Sequence, residues 1–382
     1  MGSIRANQTG SNKKRSLKLA FCMYKYFPYG GIQRDFLEIA LRCRRAGNQI
    51  KVYVLKWEGD VPEGFDIVIV PVRAFTRHTL YKRYSKWVQA DLLANPVDLV
   101  VGINKMPSLD VYYAGDSCFE EVARNQRSKI YRYLPRYRHF SDYEAAVFDR
   151  DSSTQILMIS QIQQEYFEKY YKTQEKRIDF LPPGISRDRV APENVEDIAH
   201  SARLKEGISS NERLLLFVGS GFIKKGLARA LKAYSSLSPS LQNRTRFFIV
   251  GEDNQFFYRC LATLLSISDK VKFLGGREDV PSYLFAADLL ILPALDENTG
   301  TVILESIVSG TPVLASDNCG YSHYISESGM GSVVPSPFSQ KDLNDRLEYL
   351  LQNSQRELML EKSRTFVREA DIFSLHERAV KI

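Results

Sequence analysis

The run Asp288-Leu-Leu-Ile-Leu-Pro293 is short, almost wholly apolar, and opens directly into a polar loop. Such a run predicts a strand buried on both faces, which a parallel sheet covered by helices accommodates. After the loop, Thr299-Gly-Thr-Val-Ile-Leu-Glu-Ser-Ile-Val-Ser-Gly310 has helical apolar spacing and a glycine to end it. Strand, loop and helix in this order predict an α/β chain. The loop meets the helix at Gly300, so the N–H groups of Gly300, Thr301 and Val302 would project from the helix start as a seat for phosphate or sugar oxygens. Glu297 lies in the loop, and Glu305 lies roughly a turn and a half into the helix. Two carboxylates beside an anion seat repel phosphate unless they face something else, and sugar hydroxyls fit. Taken alone, two glutamates at fixed spacing are more often solvated surface groups, so the rest of the chain must decide.

The same unit recurs along the chain. Apolar runs over 17–24, 50–55, 67–70, 98–101 and 111–114 predict short strands, with a helical stretch over 80–94 between two of them. The first run leads into a loop containing Gly30-Gly31 and then a helical pattern over 32–41. Without GxGxxG this is a poor dinucleotide fingerprint, but the glycines suit a loop lining a cleft, or equally a tight connection. After a break at Leu181-Pro-Pro-Gly184, runs over 214–218, 246–250, 270–274, 288–293 and 312–315 supply a second set. Two Rossmann-like halves joined by a hinge account for this layout. Asp116 follows the 111–114 run at its carboxyl end, where open α/β sheets place ligands.

Lys224 and Lys225 sit between Gly219, Gly221 and Gly226 in the loop after the 214–218 run. A lysine pair in a glycine-rich loop at a strand end suits a diphosphate, although GxxxxGK[ST] is absent. Arg277, after Gly275-Gly276 at the end of the 270–274 run, is read as a further donor-binding cation. Metal chemistry finds little support. Asp149-Arg-Asp151 fits a DxD pattern but precedes a strand near a turn, and the His residues show no paired ligand spacing. No GxSxG elbow is present.

Residues 1–18 contain Arg5, Lys13, Lys14, Arg15 and Lys18 with no acid, which supplies +5 of the formal net charge of +7. Residues 1–16 are read as a disordered basic tail. Five scattered cysteines without a CxxC argue for a reducing compartment, and no apolar run reaches membrane-spanning length. Residues 124–140 stand apart: Arg124, Arg127, Lys129, Arg132, Arg136 and Arg138 alternate with Tyr131, Tyr133, Tyr137 and Phe140, without an acid. Cations interleaved with aromatics suit an anionic membrane surface. They also suit stacking on nucleic-acid bases, or a solvated face over core tyrosines.

Glu297 and Glu305 form an E-x7-E element that resembles retaining glycosyltransferases of the family 4 type, and Gly30-Gly31, Pro182-Pro-Gly184 and Lys225-Gly226 match further family elements in order. Longer strings, among them Asn104-Lys-Met-Pro-Ser-Leu-Asp-Val-Tyr-Tyr113 and Cys319-Gly-Tyr-Ser-His-Tyr-Ile325, are similar to the lipopolysaccharide core branch of that family from about Leu17 onward. The resemblance implies a GT-B fold, two Rossmann-like domains facing each other across a cleft. Residues 17–171 with 368–382 would form the acceptor- and membrane-facing domain, and 172–367 the nucleotide-sugar domain. It implies metal-independent transfer of a hexose from a UDP-sugar, with retention, to inner-core heptose of lipid A-linked lipopolysaccharide. It further implies that no cofactor, metal or nucleic acid takes part, and that the enzyme sits peripherally on the cytoplasmic face of the inner membrane through residues 124–140. Another acceptor for the same fold, or a non-catalytic membrane-binding protein, are the alternative readings.

By position, the resemblance gives Lys224, Lys225 and Arg189 to the diphosphate, Glu305 to the ribose, Glu297 to the donor sugar and the Gly300–Val302 amides to phosphate or sugar oxygens. Gly31 would approach the phosphates from the other domain, and Asp35 and Asp116 would face the donor sugar or the acceptor hydroxyl. Some family members carry two alanines where this chain has Asn298-Thr299. Larger hydrogen-bonding side chains there favour a UDP-N-acetylhexosamine as the alternative donor to UDP-glucose.

Overall fold

The computed structural model describes residues 15–28, 30–353 and 355–382. Two parallel sheets organise the chain. The first has seven strands in the order Phe65–Ile69, Gln49–Val54, Lys18–Cys22, Leu99–Gly102, Val111–Ala114, Gln155–Met158, Ile178–Phe180. The second has six, in the order Val271–Gly275, Thr245–Val250, Arg213–Val218, Leu289–Leu292, Val313–Ser316, Gly331–Val334. Each is doubly wound, reversing its direction of growth beside its first strand, Lys18–Cys22 or Arg213–Val218.

Central strands are buried on both faces, as their unbroken apolar runs predict. Leu289, Leu290, Ile291 and Leu292 are all inside. The second sheet holds one continuous core with its helices, whereas the first sheet has a separate apolar cluster on each face. One of these clusters contains Leu375, from the helix Leu375–Lys381, beside Phe36 and Ile39 of the helix Gly31–Arg45. The chain therefore leaves the second sheet's unit and completes the first. The two passages between units run side by side: the Ile185 N–H donates to the Ile372 carbonyl at 2.9 Å, and the Leu375 N–H to that of Pro183 at 3.3 Å.

Two boundaries differ from expectation. The strand Ile178–Phe180 pairs with Gln155–Met158, so the first unit reaches Phe180 and the break falls at Pro182-Pro183-Gly184 rather than at 171. At the other end, Arg15 already pairs with Asp98 at 3.2 Å and the Ser16 hydroxyl donates to the Gly47 carbonyl, so the expected tail is shorter by these two residues. Residues 1–14 lie outside the described residues.

Candidate active site

In doubly wound sheets the carboxyl ends of the two strands flanking the reversal diverge, and the crevice between them takes ligands. In the second sheet these strands are Arg213–Val218 and Leu289–Leu292, which pair directly. Their loops carry Lys224, Lys225 and Glu297. Gly226 fixes how the loops meet. Its φ is +76°, and a Cβ there would lie 1.9 Å from the Pro293 carbonyl oxygen, so only glycine lets the lysine loop press on the start of the next. The Leu295 N–H donates to the Lys224 carbonyl at 2.7 Å. This packing brings Lys225 Nζ to 2.6 Å from a Glu297 carboxylate oxygen, with both side chains mostly shielded. Lys224, more exposed, reaches Asp296 at 3.2 Å.

Glu297 is held from behind as well. Its N–H donates to the Asn318 carbonyl at 3.3 Å, and its own carbonyl accepts from Gly320 at 3.2 Å. Gly300, at φ +74°, then turns the chain into the helix Thr301–Val308, whose start is not capped by any side chain. Glu305, buried in that helix, lies 3.9 Å from Arg189 and 3.8 Å from Arg34, distances of ion pairing rather than hydrogen bonding. Arg189 Nε is buried and has no hydrogen-bond partner. Arg34 comes from the first unit's Gly31–Arg45 helix, so a cation from each unit meets one carboxylate. Nothing lies within 4 Å of where a Gly31 Cβ would be, which leaves that helix start open.

The two units also bond directly. The Ser117 hydroxyl donates to Asp296 at 3.1 Å, and the Asn298 amide donates to the carbonyls of Gly115 at 2.7 Å and Ala114 at 3.3 Å. Asp116 sits between these contacts, half-buried at the cleft edge. Only an amide nitrogen can satisfy two carbonyls, so Asn298 Oδ1 is fixed as an acceptor, and it is buried without a partner. The Asn298 amide nitrogen is therefore spent across the cleft and offers no open donor there.

Two other candidates are placed elsewhere. Asp35 accepts from the Tyr113 hydroxyl at 2.7 Å and bonds His376 Nε2 at 2.9 Å. These bonds pin the Leu375–Lys381 helix to the first sheet and leave each carboxylate oxygen a further acceptor site. Arg277 donates twice to Asp279, each bond 2.8 Å, and lies over the Tyr283 ring. One edge of its guanidinium is thus engaged within its own loop, and the other terminal nitrogen keeps its donors. Arg34, Asp296 and Asn298 are the cleft residues that sequence reasoning did not single out as a set, because their partners lie far away in sequence.

Burial, with the Glu297 charge adding to it, pushes the Cys319 thiol up to about 12. That leaves a neutral thiol behind Glu297 and no sulfur nucleophile. Lys225, Lys224, Arg189 and the uncapped helix start together form a cationic wall, with Glu297 and Glu305 as acceptors facing it. Such an arrangement holds a diphosphate by charge and sugar hydroxyls by carboxylates.

Comparison with known proteins accords with this geometry. The family model described as glycosyl transferases group 1 matches residues 200–370. The lipopolysaccharide glucosyltransferase WaaG of Escherichia coli K12 is 42% identical over 365 residues, covering 95% of this chain and 98% of that protein. The chain belongs to the WaaG family of group 1 glycosyltransferases. The crystal structure of WaaG, a glycosyltransferase involved in lipopolysaccharide biosynthesis, superposes with a TM-score of 0.91 over 95% of this chain and 98% of that one. The Anabaena protein Alr3699/HepE, solved with UDP and glucose, shares the fold at a TM-score of 0.72 and 17% identity, over 96% of this chain and 98% of its own. The expected GT-B architecture and glycosyltransferase activity are thereby established for this WaaG-family chain.

Proposed function

We propose that the chain transfers glucose from UDP-glucose, with retention, to inner-core heptose of lipid A-linked lipopolysaccharide. The observation that carries this reading is the Lys225–Glu297 pair at the sheet's reversal, facing Arg189 and Glu305. The diphosphate draws on Lys224, Lys225 and Arg189, the Thr301 and Val302 amides add hydrogen bonds, and Glu305 takes the ribose hydroxyls. Lys225 released from Glu297 balances charge on the departing UDP, while Glu297 holds the donor sugar. The bond from the sugar C1 to the β-phosphate oxygen breaks, and the acceptor oxygen bonds C1 from the same face. The acceptor's proton passes to the departing phosphate. Cations supply the charge stabilisation in this scheme, so no metal is assigned.

Membrane attachment is part of the proposal. The six basic residues of 124–140 are all exposed, and Ile130, Tyr133 and Leu134 are exposed among them, at 73%, 87% and 46%. At about 1 kcal/mol per basic residue near an anionic surface, the segment attaches reversibly rather than inserting. No helix among the described residues is long and apolar enough to cross a membrane. The test is UDP release with a heptosylated acceptor, offering UDP-glucose, UDP-galactose and their N-acetylated forms separately in EDTA. Turnover of UDP-glucose supports the reading. Turnover of an N-acetylated donor, or of none, rejects it. Under the front-face scheme, Glu297→Gln lowers turnover and traps no glycosyl-enzyme. A covalent adduct in the mass spectrum excludes that scheme.

A further inference from the structure

We propose that the cavity between the helices Arg77–Ala94 and Pro135–Phe148 binds a phosphate monoester carried by the lipid-linked acceptor, away from the sugar that reacts. The inference rests on the acceptor reading above. The cavity, of about 620 Å³, has His78, Lys82 and Lys86 on one wall and Tyr133, Arg138 and His139 on the other. Lys82, Lys86 and Arg138 are exposed to it, with Asp142 as the acid in the lining. Nearby acids are committed elsewhere: Glu120 to Arg124, Glu121 to Lys169 and Glu144 to Lys105.

His139 is the second observation. It is buried, and its Nε2 has no hydrogen-bond partner. Burial, with His78 and Lys82 adding their charge, pushes its pKa down to about 4, so the ring is neutral at pH 7. Three exposed cations beside a neutral imidazole wall make a set of donors suited to a phosphate monoester, whose several oxygens accept from Lys and Arg together. A second cavity, of about 400 Å³, lies between the helices Val195–Lys205 and Val280–Ala286, which carry none of the cleft residues.

A row of packed rings links the cavity wall to the neighbourhood of Asp116. The Asp116 carboxylate lies near enough to Tyr24 to help raise its phenol, behind burial and the neighbouring Tyr143 and Tyr81. Tyr24 stacks on Tyr81 with ring centres 3.6 Å apart, and Tyr81 meets Phe140 edge-on at 6.1 Å. Phe140 is next to His139, and the two rings are 5.1 Å apart. An acceptor saccharide whose reacting hydroxyl is at Asp116 would pass over the partly exposed edges of Tyr81 and Phe140 to place a phosphate among the cations.

The experiment uses the full chain and compares lipid-linked acceptor before and after phosphatase treatment, in the parent and in K82Q/K86Q. The parent is expected to show a KM about tenfold lower for the phosphorylated acceptor, and the variant to show nearly equal values. Equal KM values in the parent overturn the proposal. In parallel, inorganic phosphate is titrated while the His139 imidazole signals are followed by NMR, alongside vesicles containing phosphatidylglycerol. Shifts with phosphate that vanish in K82Q/K86Q sustain the site even if neither acceptor is glucosylated, a result that would reject only the acceptor reading. No shift with phosphate overturns the site. Shifts produced by the vesicles at lower phosphorus concentration than by the acceptor assign it to bulk lipid and overturn the proposal as stated.

Discussion

At the scale of residues, the cleft depends on side chains whose partners belong to the other unit. Asn298 is the clearest case, since its amide closes on the Gly115 and Ala114 carbonyls. Replacing it by alanine removes two hydrogen bonds, each worth about 0.5–1.5 kcal/mol net, from the closed arrangement alone. Asn298→Ala is therefore expected to shift the free protein toward an open form. Small-angle scattering should show a larger radius of gyration, and the KM for the donor should rise several-fold. An unchanged scattering profile would show that the amide does not hold the units together. Lys225 and Glu297 could be read from sequence because both fall in loops at strand ends, where a parallel sheet displays its ligand groups. Asp35 and Arg277 show what local sequence leaves out: it shows a charge but not which neighbour engages it. Here His376 and Tyr113 engage one, and Asp279 the other. Arg34 was seen only within a helical pattern, and nothing local marks it as the partner of Glu305.

At the scale of elements, strands buried on both faces were legible, and of the four edge strands Phe65–Ile69 and Val271–Gly275 were read while the other two were not. Leu289–Leu292 and Arg213–Val218 are nearly continuous apolar runs because helices cover both sides. Ile178–Phe180 and Gly331–Val334 lie at sheet edges, are only partly buried, and carry no such run. The basic segment has its own anchor. Glu144, wholly buried in the helix Pro135–Phe148, accepts from Lys105, from the Tyr171 hydroxyl at 2.9 Å, and from the N–H groups of Phe119 and Glu120 at 2.7 and 3.0 Å. It thereby fastens the start of the helix Phe119–Asn125, and Lys105 also donates to the Ser117 carbonyl beside the cleft. Disrupting a buried ion pair by neutralising one partner typically costs about 3–5 kcal/mol. Glu144→Gln should lower the urea midpoint accordingly and speed hydrogen exchange across 117–133 before the second sheet is affected. Uniform exchange along the chain would argue against a local anchor.

At the scale of the molecule, the two passages between units are hydrogen-bonded to each other at 183–185 and 372–375. The Leu375–Lys381 helix then adds Leu375 to the first core and the His376–Asp35 contact to its edge. A chain stopped after Ala370 keeps every strand of both sheets but loses this closure. Calorimetry should resolve two transitions in place of one cooperative unfolding, the earlier belonging to the first unit, and UDP release should fall to background. A single transition at the parent temperature would show the helix to be dispensable. The same connectivity sets an order of events during synthesis. Residues 375–381 leave the ribosome only after all strands of the second sheet, so the first unit, although made earliest, waits with part of its core uncovered until the second has been translated. A nascent chain interrupted anywhere in between presents that exposed apolar face to chaperones and proteases, and only a chain translated through this helix escapes them as a working transferase.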